Sequence, residues 1–167
     1  MIQVYTGRGK GKTTASLGLA VRAAGAGLKV YIGQFLKGRF YSELASLKKI
    51  KNIKVEQLGN SCFIKKAPAP KDILLAKRGL EKIKKLIADR AYDMVILDEI
   101  NIAIKLKLLK VGEVITLLKN TPRGLEVILT GRYTHPKILG LADLVSDIKE
   151  VKHYFKKGIK GRRGIEF

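Results

Sequence analysis

The chain has 167 residues and a mass of 18.5 kDa, enough for one domain that buries roughly two thirds of its unfolded surface and too little for an accessory domain. Its formal charge of +20, from 34 Lys and Arg against 14 Asp and Glu, attracts polyanions without singling one out, and the even scatter of lysines also suits a heat-adapted surface that is simply charged. A lone cysteine, Cys62, excludes an intrachain disulfide, and neither a secretory signal nor an apolar run of the ~18 residues that span a bilayer is present, so a reducing, cytoplasmic setting is expected.

The first predicted element is an apolar strand over residues 2–5, followed by Thr6-Gly7-Arg8-Gly9-Lys10-Gly11-Lys12-Thr13-Thr14. A glycine-rich turn between a strand and a helix lets main-chain amides close on phosphate oxygens, beside the positive end of the helix dipole. Gly7, Gly9 and Gly11 supply the backbone freedom, Lys12 a point charge, and Thr13 a hydroxyl for a magnesium ion. Arg8, Lys10 and Thr14 complete the candidate nucleotide-binding run. The usual spacing sets a glycine, four residues, then Gly-Lys-Ser/Thr. Here the position of that first glycine is Thr6 and the glycine present is Gly7, so the loop is one residue short.

A helix pattern over 13–26, rich in Ala and Leu, closes at Gly27. The strand over 29–36 then leads past Gln34 to Lys37 and Arg39, where Lys37 reaches either substrate or water. A strand over 53–58 precedes an irregular surface loop at 65–71, marked by Pro68 and Pro70. A helix over 72–91 sets Ile73, Ala76, Leu80, Ile83 and Ile87 near helical spacing.

The strand over 94–97 runs directly into Asp98 and Glu99, hard carboxylates of the kind that hold magnesium beside a polyphosphate. Strand alternation turns them to opposite sides, so one reaches the metal or its water while the other holds the neighbouring loop, with the assignment open. The plainer role for either is to cap the following helix. A helix over 110–119 and a strand over 125–130 lead to Thr130-Gly131-Arg132, where Arg132 either clamps phosphate through two parallel hydrogen bonds or lies exposed in a turn. After a last strand over 144–148, the basic segment 149–167 either folds over a ligand or is solvated.

His135 and His153 have no second ligand at metal spacing, so no zinc site is expected; His153, within Val151-Lys152-His153-Tyr154-Phe155, suits packing or a polar substrate contact. No serine, histidine and acid set forms a nucleophilic triad. Strands alternating with helices predict an α/β fold with a mostly parallel central sheet covered on both faces, a P-loop (RecA-like) architecture in a single domain over 1–167. The runs 30–32 and 95–97 suit central strands.

Taken together, the nine-residue loop from Thr6 to Thr14, Gln34-Phe35-Leu36-Lys37-Gly38 and Leu97-Asp98-Glu99-Ile100-Asn101 resemble the P-loop type ATP:corrinoid adenosyltransferases. Thr130-Gly131-Arg132, Ala142-Asp143-Leu144-Val145, Val151-Lys152-His153 and the closing Gly164-Ile165-Glu166-Phe167 resemble that family's later motifs in the same order, and the shortened loop is itself a mark of the family. The resemblance implies transfer of the 5′-deoxyadenosyl group of ATP to the reduced cobalt of cob(I)alamin or of cob(I)yrinic acid a,c-diamide, with triphosphate leaving intact. It implies a nucleotide lying reversed relative to ordinary P-loop enzymes. It further implies Lys12 and Arg132 as catalytic groups, Gly7 to Thr14 on the phosphates, and Thr13 and Glu99 as magnesium ligands supported by Asp98.

Two family elements differ. The basic helix usual before the first strand has no counterpart ahead of residue 2, and the Phe-Thr-Trp element that presses on the corrinoid is replaced by Ser61-Cys62-Phe63-Ile64-Lys65, with no tryptophan in the chain. Phe63, Lys37 and His153 are the corrinoid-side candidates. A homodimer and a reductase delivering Co(I) are the expected partners, and nucleic acid is not. The competing reading is a RecA-like P-loop ATPase acting with a polyanion such as nucleic acid, motivated by the +20 charge and the Asp98-Glu99 pair; a nucleotide-binding module without chemistry is the third.

Overall fold

A computed structural model describes residues 1–60 and 67–167; the stretch 61–66, and with it Phe63, lies outside the described residues. Six strands, β1 (Ile2–Thr6), β2 (Val30–Gln34), β3 (Ile53–Gln57), β4 (Met94–Asp98), β5 (Glu126–Thr130) and β6 (Leu144–Asp147), form one sheet in the order β3-β2-β4-β5-β1-β6. Every pairing in it is parallel. All carboxyl ends therefore share one edge, where ligands of such sheets collect.

Burial follows position. Every residue of β2 and β4 is buried, as the unbroken apolar runs at 30–32 and 95–97 require of central strands, whereas all four residues of β6 are exposed at the sheet edge. Along β4 the side chains alternate between two cores. Met94 and Ile96 pack with Ala20, Ala23 and Ile128 under α1 (Lys12–Gly25) and beside Leu47 of α2 (Ser42–Leu47). Val95 and Leu97 pack on the other face with Leu80 and Ile83 of α3 (Pro70–Ala88), Ile100 of α4 (Ile100–Lys105) and Val114 of α5 (Val111–Lys119). Asp98 continues the first of these faces, which aims its carboxylate at the start of α1.

The six expected strands and three long helices are all present, with ends shifted by three residues at most. The expected loop at 65–71 ends sooner than its prolines suggest: Pro70 opens α3, where a fixed φ and a missing N–H cost nothing, and Asp72 Oδ2 accepts from the Ala69 amide at 3.0 Å. Helices α2, α4 and α6 (Pro136–Leu139) and a 3-10 turn at Tyr154–Lys157 were not expected; at four to six residues each they are too short for an apolar periodicity to be read. No helix among the described residues is long and apolar enough to cross a membrane.

Candidate functional site

The glycine-rich loop joins β1 to α1 across the carboxyl edge, and its shape is set by β6. Gly7 has φ +96°, and a Cβ there would fall 2.2 Å from Asp147 Oδ1 and 2.4 Å from the Ile148 carbonyl, so only glycine fits. The Gly9 amide donates to the Ile148 carbonyl at 2.7 Å, and Ile148 returns a bond to the Thr6 carbonyl at 2.9 Å. The loop is thus stitched to the strand end beside it. Gly11, at φ +114° with open space around it, turns the chain into α1.

Lys12 is almost buried, at 7% exposure, and its ammonium closes over the loop, donating to the carbonyls of Gly7 at 2.8 Å and Gly9 at 2.6 Å. Burial, and then the nearby Arg132 guanidinium, push its pKa down. A buried cation bordered by another cation is poised for a polyanion.

Behind Lys12, Asp98 is fully buried and satisfied by four donors. Its Oδ1 accepts from Thr13 Oγ1 at 2.9 Å and Thr130 Oγ1 at 2.7 Å; its Oδ2 lies 2.9 Å from Lys37 Nζ and 3.3 Å from Gln34 Nε2. One carboxylate therefore ties together the start of α1 and the ends of β2 and β5. Lys37 also reaches Glu43 Oε1 at 3.5 Å. Burial opposes its charge, but Asp98 outweighs burial, with Glu43 and Glu99 adding to it, and raises its pKa. Lys37 is thus not in water: its side chain is 12% exposed and committed to this pair.

Glu99, the next residue, takes a left-handed backbone, φ +61°, that few non-glycine residues adopt, and the Thr130 hydroxyl accepts its amide at 2.9 Å. The kink throws its carboxylate into the cavity while Asp98 stays behind. Burial and then the Asp98 charge raise the Glu99 pKa, against Lys37, Lys12 and Arg132. Glu99 thus lines the cavity, whereas Asp98 holds Thr13, Thr130, Gln34 and Lys37 behind it.

The cavity between these elements measures about 770 Å³ and is lined by Gly9, Lys10, Gly11, Lys12, Thr13 and Thr14 on one side. Lys37, Glu99, Arg132 and His153 line it too. A cleft of that volume is of the size that holds nucleotide-sized ligands. Two loop residues face elsewhere: Gly7 and Arg8 line a second cavity of about 550 Å³ with Asp147 and Lys149, and Arg132 forms the wall common to both. His153 uses Nδ1 to accept the Phe155 amide at 3.1 Å and packs at a tilt against Tyr154 with centroids 4.8 Å apart, so it packs and lines the cavity at once.

Of the remaining wall, the part from the α2 region was missed in the sequence, whereas the C-terminal part falls within the segment 149–167, expected either to fold over a ligand or to be solvated. Tyr41, Ser42 and Glu43 come from the short α2 region, and Gly164, Ile165, Glu166 and Phe167 fold back across the opening. Glu43 carries no local signal, because only the fold brings it to Lys37; Glu166 had one, in the closing Gly-Ile-Glu, without a contact to interpret it.

The family model for the ATP:corrinoid adenosyltransferases BtuR/CobO/CobP matches residues 1–167. A corrinoid adenosyltransferase of Escherichia coli K12 is 36% identical over 167 residues, covering 100% of this chain and 85% of that protein. Corrinoid adenosyltransferase CobA of Salmonella typhimurium is also 36% identical, with the same coverage, and the Sinorhizobium enzyme is 36% identical over 171 residues, covering 100% and 80%. Among solved structures, a KaiC-like protein of Pyrococcus horikoshii has a TM-score of 0.57 at 17% identity, over 90% of this chain and 72% of its own. The flagellar accessory protein FlaH of Methanocaldococcus jannaschii has a TM-score of 0.59 at 16% identity, over 89% and 69%. These last two share the fold.

Proposed function

The chain belongs to the ATP:corrinoid adenosyltransferases, and from that premise we propose that the cavity at the carboxyl edge of the sheet is where it holds ATP for transfer of the adenosyl group to a corrinoid. The transfer itself follows from the family; the RecA-like ATPase reading shares only the fold. The observation that carries the site is the convergence of Lys12, Arg132 and Glu99 on one cavity, with Thr13 fixed by buried Asp98.

In this reading the triphosphate lies against Gly11, Lys12, Thr13 and Thr14, whose amides at the start of α1 face a ligand rather than a preceding turn. Lys12 exchanges the loop carbonyls for phosphate oxygens, and Arg132 clamps from the opposite wall. Attack of reduced cobalt on the ribose 5′ carbon forms the cobalt–carbon bond and breaks the carbon–oxygen bond to the triphosphate, which leaves carrying the electron pair. No base is needed. The barrier falls through alignment and through charge placed where the leaving oxygen becomes negative, which is what Lys12 and Arg132 supply.

A magnesium ion fits the donors present. The cavity wall offers the Thr13 hydroxyl and the Glu99 carboxylate, hard oxygens few enough to leave room for phosphate and water, while Asp98 orients Thr13 from behind. Magnesium there would neutralise the triphosphate. Cob(I)alamin and cob(I)yrinic acid a,c-diamide are the acceptors proposed, with His153 on the acceptor side, and a reductase, a homodimer and a cytoplasmic setting complete the reading. Mixing the protein with ATP and chemically reduced cobalamin tests it: an adenosylated corrinoid and intact triphosphate are expected. Orthophosphate with no cobalt–carbon bond would overturn it.

A further inference from the structure

The last residues of the chain are held over the cavity by one polar knot. Lys10 Nζ, on the phosphate loop, donates to Glu166 Oε1 at 2.7 Å and Tyr154 Oη at 2.6 Å, and the Tyr154 hydroxyl itself bonds Glu166. The Arg162 amide donates to Glu166 Oε2 at 2.6 Å, and its guanidinium lies 4.8 Å from the centre of the Tyr154 ring. Ser42 Oγ adds a bond to the Phe167 carbonyl at 2.9 Å.

Apolar burial adds little to this closure. Phe155 is 72% exposed and Ile165 55%, and none of residues 154–167 is buried. Gly158 and Gly164 have φ +79° and +75°, with open space where a Cβ would be. Such a segment opens cheaply, because what holds it is a set of exposed charge-assisted bonds.

The knot also sets an anion where another anion is expected. Glu166 lines the same cavity as Lys12 and Thr13, and Lys10, from the candidate nucleotide-binding run and next to the residues placed on the triphosphate, lines it too. We propose that Glu166 is an internal competitor for Lys10: the carboxylate holds the lysine and closes segment 154–167 over the cavity, and the triphosphate of the nucleotide displaces it, freeing Lys10 and Arg162 and opening the segment. This rests on the assignment of the cavity to ATP. It follows because a fixed carboxylate beside a polyphosphate repels it, while Lys10 gains by trading one negative charge for several.

Calorimetric titration with inorganic triphosphate, which carries no adenosine or corrinoid contacts, tests the exchange in wild type, Glu166→Gln and Lys12→Ala. Glu166→Gln is expected to bind triphosphate roughly five- to tenfold tighter than wild type, since a neutral amide neither holds Lys10 as firmly nor repels the ligand. Hydrogen exchange of the wild-type amides at 159–167 is expected to speed up when triphosphate is added. Glu166→Gln binding equal to or weaker than wild type, or slower exchange of the segment on binding, overturns the competitor while leaving the ATP site standing if Lys12→Ala abolishes binding. Triphosphate affinity unmoved by Lys12→Ala overturns both.

Discussion

Asp98 shows how one side chain organises a cavity wall from behind it, without lining the cavity. It is fully buried, and its oxygens take Thr13, Thr130, Gln34 and Lys37. Replacing it by alanine leaves Lys37 buried with Glu43 at 3.5 Å and the Tyr41 ring at 5.0 Å, without its nearest charge partner, and loss of one partner of a buried pair costs about 3–5 kcal/mol. Urea unfolding of Asp98→Ala measures this, and Asp98→Ala with Lys37→Met is expected to recover part of the loss, because the second change removes the stranded charge. Lys12→Ala acts at a different level. It removes a cation that faces the cavity, so it is expected to lower ATP affinity and to cut kcat/KM by about a hundredfold or more while leaving the unfolding midpoint nearly unchanged.

At the scale of elements, the loop and its neighbours make predictions the residues alone do not. An alanine at Gly7 meets Asp147 Oδ1 at 2.2 Å as well as an unfavourable φ, whereas at Gly11 it meets strain alone. Gly7→Ala is therefore expected to cost about 1–3 kcal/mol more than Gly11→Ala in urea unfolding, through the end of β6. On the far edge, Glu56 of β3 accepts from Tyr31 Oη of β2 at 3.0 Å and from Lys82 Nζ of α3 at 2.6 Å. Burial raises the Glu56 pKa, but the bonds from Lys82 and Tyr31 outweigh it, so the folded value lies below the usual carboxylate range. The stabilisation is complete above the unfolded value of about 4.3 and is lost as the pH falls through the lower folded one. Wild type is expected to exceed Glu56→Gln by up to about 1 kcal/mol at neutral pH, the difference vanishing in acid.

The same scale explains what could be read from the chain. Strands such as 30–34 and 94–98 announce themselves because burial on both faces demands an unbroken apolar run. The loop and the Asp98-Glu99 pair stand out because a glycine-rich turn after a strand and two carboxylates at a strand end are distinctive residue types at those places. The partition between them is not legible from strand alternation and comes only as an implication of the family resemblance: that Asp98 stays behind while Glu99 enters the cavity depends on a left-handed turn at Glu99 and on Thr130, set 31 residues away. The turning of Arg8 into the second cavity and the folding of 164–167 over the first are likewise decided by long-range contacts, with β6 and with Lys10.

For the molecule as a whole, the +20 charge is a statement about encounter rather than about recognition. Cations from the start of α1 and from just past the ends of β2 and β5 converge on the cavity as Lys12, Lys37 and Arg132, but Lys37 is neutralised by Asp98 and Lys12 is buried, so the long-range field comes mainly from the lysines spread over the surface. Such a field speeds the arrival of any polyanion and is screened over a Debye length of about 8 Å at physiological salt. Capture at the site depends instead on contacts inside a cavity that screening reaches weakly. Raising salt from about 0.05 to 0.5 M is therefore expected to slow ATP association by roughly tenfold and to leave its dissociation rate nearly constant. Stopped-flow binding separates the two rates. Lys12→Ala is expected to show the reverse pattern, with faster dissociation and an almost unaltered salt dependence of association. A dissociation rate that rises with salt as steeply as association falls would place the phosphate contacts on the exposed surface and not in the cavity behind Lys12.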